Sequence, residues 1–140
     1  AAGRMRFYAA DAAAEVVGIE DAARALLLAA EHGRVGERYI ISESYLPLRT
    51  ILETAADETG VRPPRFGVPK AAMYAGAYAT EPLRAVRPGK IPPLVTITRL
   101  LHMTSPADNS KARRELGWEP EPTVDAIRRA ARFYADNQLV

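Results

Sequence analysis

The chain has 140 residues, 48% of them hydrophobic and 26% charged, and its 19 Lys and Arg against 17 Asp and Glu leave a net charge of +2. That balance excludes a disordered or collagen-like chain and gives no global attraction to polyanions. Without Cys there is neither a disulfide framework nor a thiolate metal site, which suits a reducing, cytoplasmic setting. No apolar run approaches the roughly 20 residues that cross a bilayer, so no membrane partner is expected. A chain of this length buries roughly two-thirds of its unfolded surface, enough for residues 1–140 to form one domain.

Arg4 to Tyr8 alternate charged and apolar side chains and predict a short half-buried strand. Val16 and Val17 suit a second strand, with Gly18 permissive behind them. From Glu20 the period becomes helical: Ile19, Ala22, Ala23, Leu26, Leu27 and Ala30 share a face, Glu20 and Asp21 complement the dipole, and Gly33 offers a left-handed stop. Glu37 to Ile41 reads as a strand buried on both faces, bounded by Gly36 and a Ser42-Glu43-Ser44 turn. Pro47 then opens a second helix, with Leu48, Ile51, Leu52, Ala55 and Ala56 on one side and Gly60 at its end. An extended piece is expected over Arg65 to Val68.

Lys70 to Val86 is helical in composition, with Gly76 and Pro82 as points of division or kinking and Met73, Tyr74, Ala77 and Tyr78 on its apolar side. Arg87 to Pro93 reads as a linker, and Leu94 to Met103 as another short helix. Asp108 and Ser110 are N-cap candidates for a helix from Lys111 to Leu116, stopped by Gly117, with Trp118 folding back over it. Thr123 is the expected cap of a last helix bearing Val124, Ile127, Ala131 and Tyr134 on one face. The sum is a mixed α/β or α+β chain, mostly helical, with too few strands for a complete doubly wound sheet.

Chemistry is sparse. There is no Gly-x-Gly-x-x-Gly or Walker loop to seat a pyrophosphate. His32 and His102 have no second ligand at helical spacing, so they read as surface or capping residues. No Ser lies in a nucleophile elbow. Arg62 with Arg65, Arg113 with Arg114, and Arg128 with Arg129 and Arg132 form three basic clusters. Glu115, Glu119, Glu121 and Asp125 interleave with the last two, which argues against a nucleic-acid partner.

Two segments carry a resemblance. Glu15-Val16-Val17-Gly18-Ile19-Glu20-Asp21-Ala22-Ala23-Arg24-Ala25 resembles the V-H-V-x-D-x-A-x-A block of extended short-chain dehydrogenase/reductases, the NAD-dependent epimerase/dehydratase family. Asp108-Asn109-Ser110-Lys111-Ala112-Arg113-Arg114-Glu115-Leu116-Gly117-Trp118 resembles that family's D-x-S-K-A-x-R-E-L-G-W block more closely. Gly36 to Ile41 is similar to its G-x-x-Y-N-x-G strand, with the next helix at Leu48 to Gly60. The resemblance spans nearly the whole chain.

It implies the C-terminal substrate-binding lobe of a longer chain, without the Rossmann core. In the family the N-terminal half supplies the glycine-rich loop and a Tyr-x-x-x-Lys pair, and no Tyr-x-x-x-Lys occurs in this sequence. NAD or NADP would therefore bind the full-length enzyme but not this chain, which would be catalytically inactive alone and carry no catalytic, cofactor-binding or metal-binding residue. The implied partners are a small-molecule substrate with an alcohol or carbonyl on a sugar-, steroid- or flavonoid-like skeleton, the missing Rossmann domain, and further copies of the chain through unpaired edges. Met73, Tyr74, Tyr78, Arg99 and Leu101 are the substrate-site candidates.

Where relatives that act on nucleotide sugars carry an Arg for the diphosphate, seven residues before the Asp that matches Asp21, this sequence has Ala14. Gly18 replaces the block's His, and the R-x-G-D stretch is not visible. A less charged substrate is expected. The competing expectation is a stand-alone ligand-binding or oligomerisation module.

Overall fold

A computed structural model describes residues 6–87 and 92–137. In chain order the elements are β1 (Phe7–Ala9), β2 (Ala13–Val16), α1 (Ile19–His32), β3 (Ser44–Pro47), α2 (Leu48–Thr59), β4 (Phe66–Val68), α3 (Lys70–Val86), α4 (Leu94–Leu101), α5 (Ser110–Leu116) and α6 (Thr123–Asp136). Strands β1 and β4 pair in parallel, with Tyr8 opposite Gly67. A Cβ at Gly67 would lie 2.9 Å from the Ala10 Cβ and 3.1 Å from the Tyr8 hydroxyl, so glycine permits that approach. Strands β2 and β3 pair antiparallel from Ala13 opposite Pro47 to Val16 opposite Ser44. The described residues contain two two-stranded sheets and no Rossmann core, as the mostly helical expectation had it.

The core gathers where α1 meets α5. Ala25, Ala112, Leu116 and Trp118 are buried there, with Val17, Leu28, Ala29, Tyr39 and Ile41 packed around them. Gly117 at φ 65° turns the chain out of α5. Trp118 thereby folds back to full burial and donates its indole N–H to the carbonyl of Asp21 at 3.0 Å. Packing of α2 on α6 and of α3 on α4 completes the framework. Ion pairs tie the α2 and α6 surfaces together, with Arg132 on Glu58 and Arg128 3.9 Å from the same carboxylate.

Several expectations are corrected. Arg4 and Met5 lie outside the described residues, and β1 occupies Phe7–Ala9. Val17 falls just beyond β2. Glu37 to Ile41 form no strand: the segment is a loop with Ile40 50% exposed, and β3 begins at Ser44, inside the expected turn. The loop is held from its flanks, by Tyr39 donating to Glu115 at 3.1 Å and Lys111 reaching Glu37, so side-chain ties replace a strand ladder. Gly33 is extended at φ −68°, not left-handed; a Cβ there would run into the Ala29 carbonyl, which explains the glycine differently. Thr123 is the first residue of α6 rather than its cap, and its hydroxyl donates to the Val16 carbonyl at 3.2 Å. Ser110 opens α5, its N–H donating to the Asp108 carboxylate at 2.9 Å, and Asn109 holds the cap position.

The largest reversal is in α1. Its buried residues are Asp21 and Ala25, backed by half-buried Leu28 and Ala29, whereas Ile19, Leu26 and Leu27 are 86%, 72% and 67% exposed. The expected apolar face points outward, because Leu and Ala on nearly every side leave the period without a unique inward direction. On α6 Val124, Ile127 and Ala131 are half-buried as expected, while Tyr134 is exposed. α3 runs unbroken through Gly76 and Pro82.

Truncating the core shows its weight: Trp118→Ala is expected to lose about 3–5 kcal/mol, as for other buried aromatics, measured by denaturant unfolding monitored by circular dichroism. The surface pairs set a pH response. Hydrogen bonds from Lys111, Arg132 and Arg34 hold Glu37, Glu58 and Glu115 respectively below the ordinary carboxylate range. With folded values depressed, their stabilisation is complete above the unfolded pKa of about 4.3 and is lost as pH falls through the lower folded values. The melting temperature should hold from neutral pH to about 5 and drop below about 4; a midpoint unchanged at the acid end would refute this linkage.

Candidate functional site

The sequence candidates gather on the α3 and α4 pair. Ala77 and Thr98 are buried at its contact, flanked by half-buried Met73 and Tyr74 on α3 and Leu94 and Val95 on α4. Tyr74 stacks on Tyr78 with ring centroids 6.2 Å apart and meets the His102 ring at 6.3 Å. Tyr78 is 57% exposed and Leu101 37% exposed at the rim, and Arg99 faces solvent. The structure thus brings Tyr74 and Tyr78 into ring contact and adds His102, while Arg99 lies outside that aromatic row.

His102 closes α4 as a capping residue, in keeping with the sequence expectation, yet its chemistry is more specific. Its Nδ1 lies 2.7 Å from the Thr98 carbonyl oxygen. A carbonyl only accepts, so Nδ1 is the donor to Thr98. The ring's Nε2 is buried without a hydrogen-bond partner among the described residues. The sequence signal was the four-residue step from Thr98 to His102, which by itself does not separate a cap from a site residue. His32 is a surface residue, its side chain 57% exposed.

A second feature was invisible in sequence. A cleft of about 610 Å³ opens between the start of α1 and α6, lined by Val16, Val17, Gly18, Ile19, Ala126, Ile127, Ala130, Phe133 and Tyr134. Its cation, Arg129, is 3.0 Å from Glu121 and 3.2 Å from Glu20, so the wall is charge-balanced as well as apolar. Its two sides are more than 100 positions apart in the chain, which is why no local pattern announces it.

The aromatic row and the cleft are surfaces of mainly apolar character. No group of three His, Asp or Glu suited to a metal occurs among the described residues. A dinucleotide does not fit them either. The passage from β2 through Gly18 into α1 has the strand, glycine and helix order of a phosphate turn, but the first turn of α1 carries Glu20 at the surface and the buried carboxylate of Asp21. Two carboxylates at the helix start repel a pyrophosphate. A Cβ at Gly18 would meet the Ala126 Cβ at 3.1 Å and the Asp21 Oδ2 at 3.2 Å, so this glycine serves packing within the protein.

No protein-family profile matches the chain. Among curated proteins it is 31% identical over 140 residues to the sterol demethylase protein B of Methylococcus capsulatus, covering 99% of this chain and 42% of that protein. It is 34% identical over 112 residues to the 4-hydroxy-2-methyl-3-oxo-4-farnesyl-3,4-dihydroquinoline-1-oxide ketoreductase of Stigmatella aurantiaca, covering 75% of this chain and 34% of that protein. Among solved structures, gox2253 superposes with a TM-score of 0.78 at 28% identity, over 97% of this chain and 41% of its own. PA4631, a nucleoside-diphosphate-sugar epimerase from Pseudomonas aeruginosa, superposes with a TM-score of 0.72 at 28% identity, over 96% and 39%.

The fold is that of the C-terminal part of epimerase-like chains. In sequence and structure the chain is similar to part of an oxidoreductase or epimerase, and it spans at most 42% of the length of these relatives.

The tautomer of His102 is directly testable. Long-range proton–nitrogen NMR should show a proton on Nδ1, and a ring protonated at Nε2 alone would contradict the arrangement.

Proposed function

We propose that the chain is the substrate-binding lobe of an NAD(P)-dependent oxidoreductase, epimerase or dehydratase acting on an alcohol or carbonyl of a sugar-, steroid- or flavonoid-like substrate, and that it is inactive alone. One observation carries this reading: nearly the whole chain follows the fold of PA4631, a nucleoside-diphosphate-sugar epimerase, while accounting for 39% of that chain. The sequence also lacks both the glycine-rich loop and Tyr-x-x-x-Lys. In such an enzyme a phenol beside a Lys exchanges a proton with the substrate oxygen while the nicotinamide exchanges hydride. This chain's part is to bind and orient the skeleton, and the ring row of Tyr74, Tyr78 and His102 offers flat, weakly polar surfaces for it.

The substrate leans toward the apolar end of that range. Two relatives are named for a sterol and for a farnesylated dihydroquinoline oxide, both bulky and poor in charge. Ala14 lies in β2 opposite Leu46, where the Arg of nucleotide-sugar relatives would hold a diphosphate. The similarity to a nucleoside-diphosphate-sugar epimerase is therefore read as shared architecture.

The outward face of α1 supports a partner for the lobe. Ile19, Leu26 and Leu27, with Ile40 on the following loop at 50% exposure, leave an apolar surface of the kind that marks an interface. The proposed partner is the nucleotide-binding portion, and in its absence a second copy.

NADH titrated into the 140-residue chain should give no saturable change in nicotinamide fluorescence; tight binding would overturn this division of labour. Light scattering should show concentration-dependent association that Leu26→Glu with Leu27→Glu reduces. A parent chain that stays monomeric at all concentrations would turn the reading toward a stand-alone ligand-binding module.

A further inference from the structure

Helix α3 is turned the opposite way from an ordinary surface helix. Its charged pair, Glu81 and Arg84, is half-buried with the groups 3.4 Å apart, while every exposed residue from Ala71 to Val86 is uncharged. On that outer face Leu83 and Val86 are 50% and 77% exposed. α4 and the residue just beyond its cap add Leu100 and Met103 at 61% and 67%. A continuous uncharged face on a 17-residue helix, about 25 Å long, calls for an apolar neighbour.

The charge around it is equally lopsided. From Val61 to Met103 the sequence has seven Lys and Arg against the single Glu81, although the chain as a whole is only +2, so the remainder is net acidic. Arg62, Arg65, Lys70, Arg87 and Arg99 are exposed and have no ion-pair partner among the described residues. By contrast, Arg128, Arg129 and Arg132 of α6 all face carboxylates. Lys70 begins α3 and Arg87 follows its last turn, so unpaired cations bracket the apolar face at both ends.

We propose that the outer surface of the α3 and α4 hairpin docks on an anionic lipid bilayer. α3 lies flat in the interface with Leu83 and Val86 at the boundary of headgroups and acyl chains. The flanking Lys70, Arg87 and Arg99 extend their stems over the apolar edge and their charges toward lipid phosphates. A second copy is the poorer occupant, because a two-fold contact through this surface sets unpaired cations against one another.

No described helix is long and apolar enough to cross a membrane, and lying on a surface requires a face rather than a span. The sequence expectation of no membrane partner was drawn from the lack of a span, which a surface contact does not need. The inference does not rest on the enzymatic reading, since vesicle binding needs neither cofactor nor substrate.

The test is flotation of the 140-residue chain with vesicles of phosphatidylcholine alone or containing roughly a third phosphatidylglycerol, across a range of salt. The chain should float with the anionic vesicles, stay behind with the neutral ones, and lose binding as salt rises. Leu83→Glu should abolish flotation, Arg87→Ala and Arg99→Ala should each weaken partitioning about fivefold, and Val35→Glu, at a fully exposed position on the loop after α1, should leave it unchanged. Unaltered Trp118 emission in each variant confirms that the core is intact. Equal binding to neutral vesicles, no binding to either kind, or loss in Val35→Glu without loss in Leu83→Glu would each overturn the proposal. Association that Leu83→Glu removes, without vesicle binding, would overturn it too and assign the face to a second copy.

Discussion

Asp21 sits where three parts of the molecule meet, and their arrangement depends on it. It is 1% exposed, in the first turn of α1. Its carbonyl accepts the Trp118 indole N–H at 3.0 Å, and its Oδ2 accepts the Glu121 backbone N–H at 3.2 Å. The remaining oxygen, Oδ1, has Arg24 3.7 Å away, too far for a hydrogen bond but close enough for charge compensation. A buried carboxylate is costly unless its surroundings are polar and cationic, and here the helix dipole, a backbone donor and a guanidinium act together. The same contacts seat Trp118 against α1 and fix the approach to α6. Gly18 keeps the space beside Oδ2 free of a side chain.

From that junction the molecule divides into two kinds of surface. The α1, α5 and α6 side is laced with ion pairs: Arg34 with Glu115 at 2.5 Å, Arg129 with Glu20 and Glu121, and Arg132 with Glu58. Exposed pairs of this kind contribute little stability individually. Their spread nevertheless leaves that side electrically balanced. The α3 and α4 side has one internal pair, an uncharged outer face and cations without partners. Inside the hairpin the small residues Ala77 and Thr98 are buried, at 3% and 4% exposure, while the larger Leu83, Val86 and Leu100 are exposed.

The extents of several elements were legible in the sequence because local rules set them. Pro47 before α2, Gly60 at φ 68° after it and Gly117 at φ 65° after α5 act through their own backbone preferences. The limits of α3 at Lys70 and Val86 agree with its composition. The strand expected at Glu37 to Ile41 failed because a short apolar run does not identify its hydrogen-bonding partners, and here those are side chains of α5. Of the candidate site, the pairing of Tyr74 with Tyr78 follows from a helical four-residue step, while the contact with His102 required α4 to fold back along α3.

By itself, then, the sequence determined helix ends, the scarcity of strands, the seat of Trp118 after Gly117, and the absence of a phosphate loop and of Tyr-x-x-x-Lys. Only the tertiary structure decided which sides of α1 and α3 face inward. Both helices carry Ala or larger apolar groups around most of their circumference, so hydrophobic periodicity selects no unique side. For α1, the selection comes from hydrogen bonds between Asp21 and residues 97 and 100 positions away, a separation that no local pattern encodes.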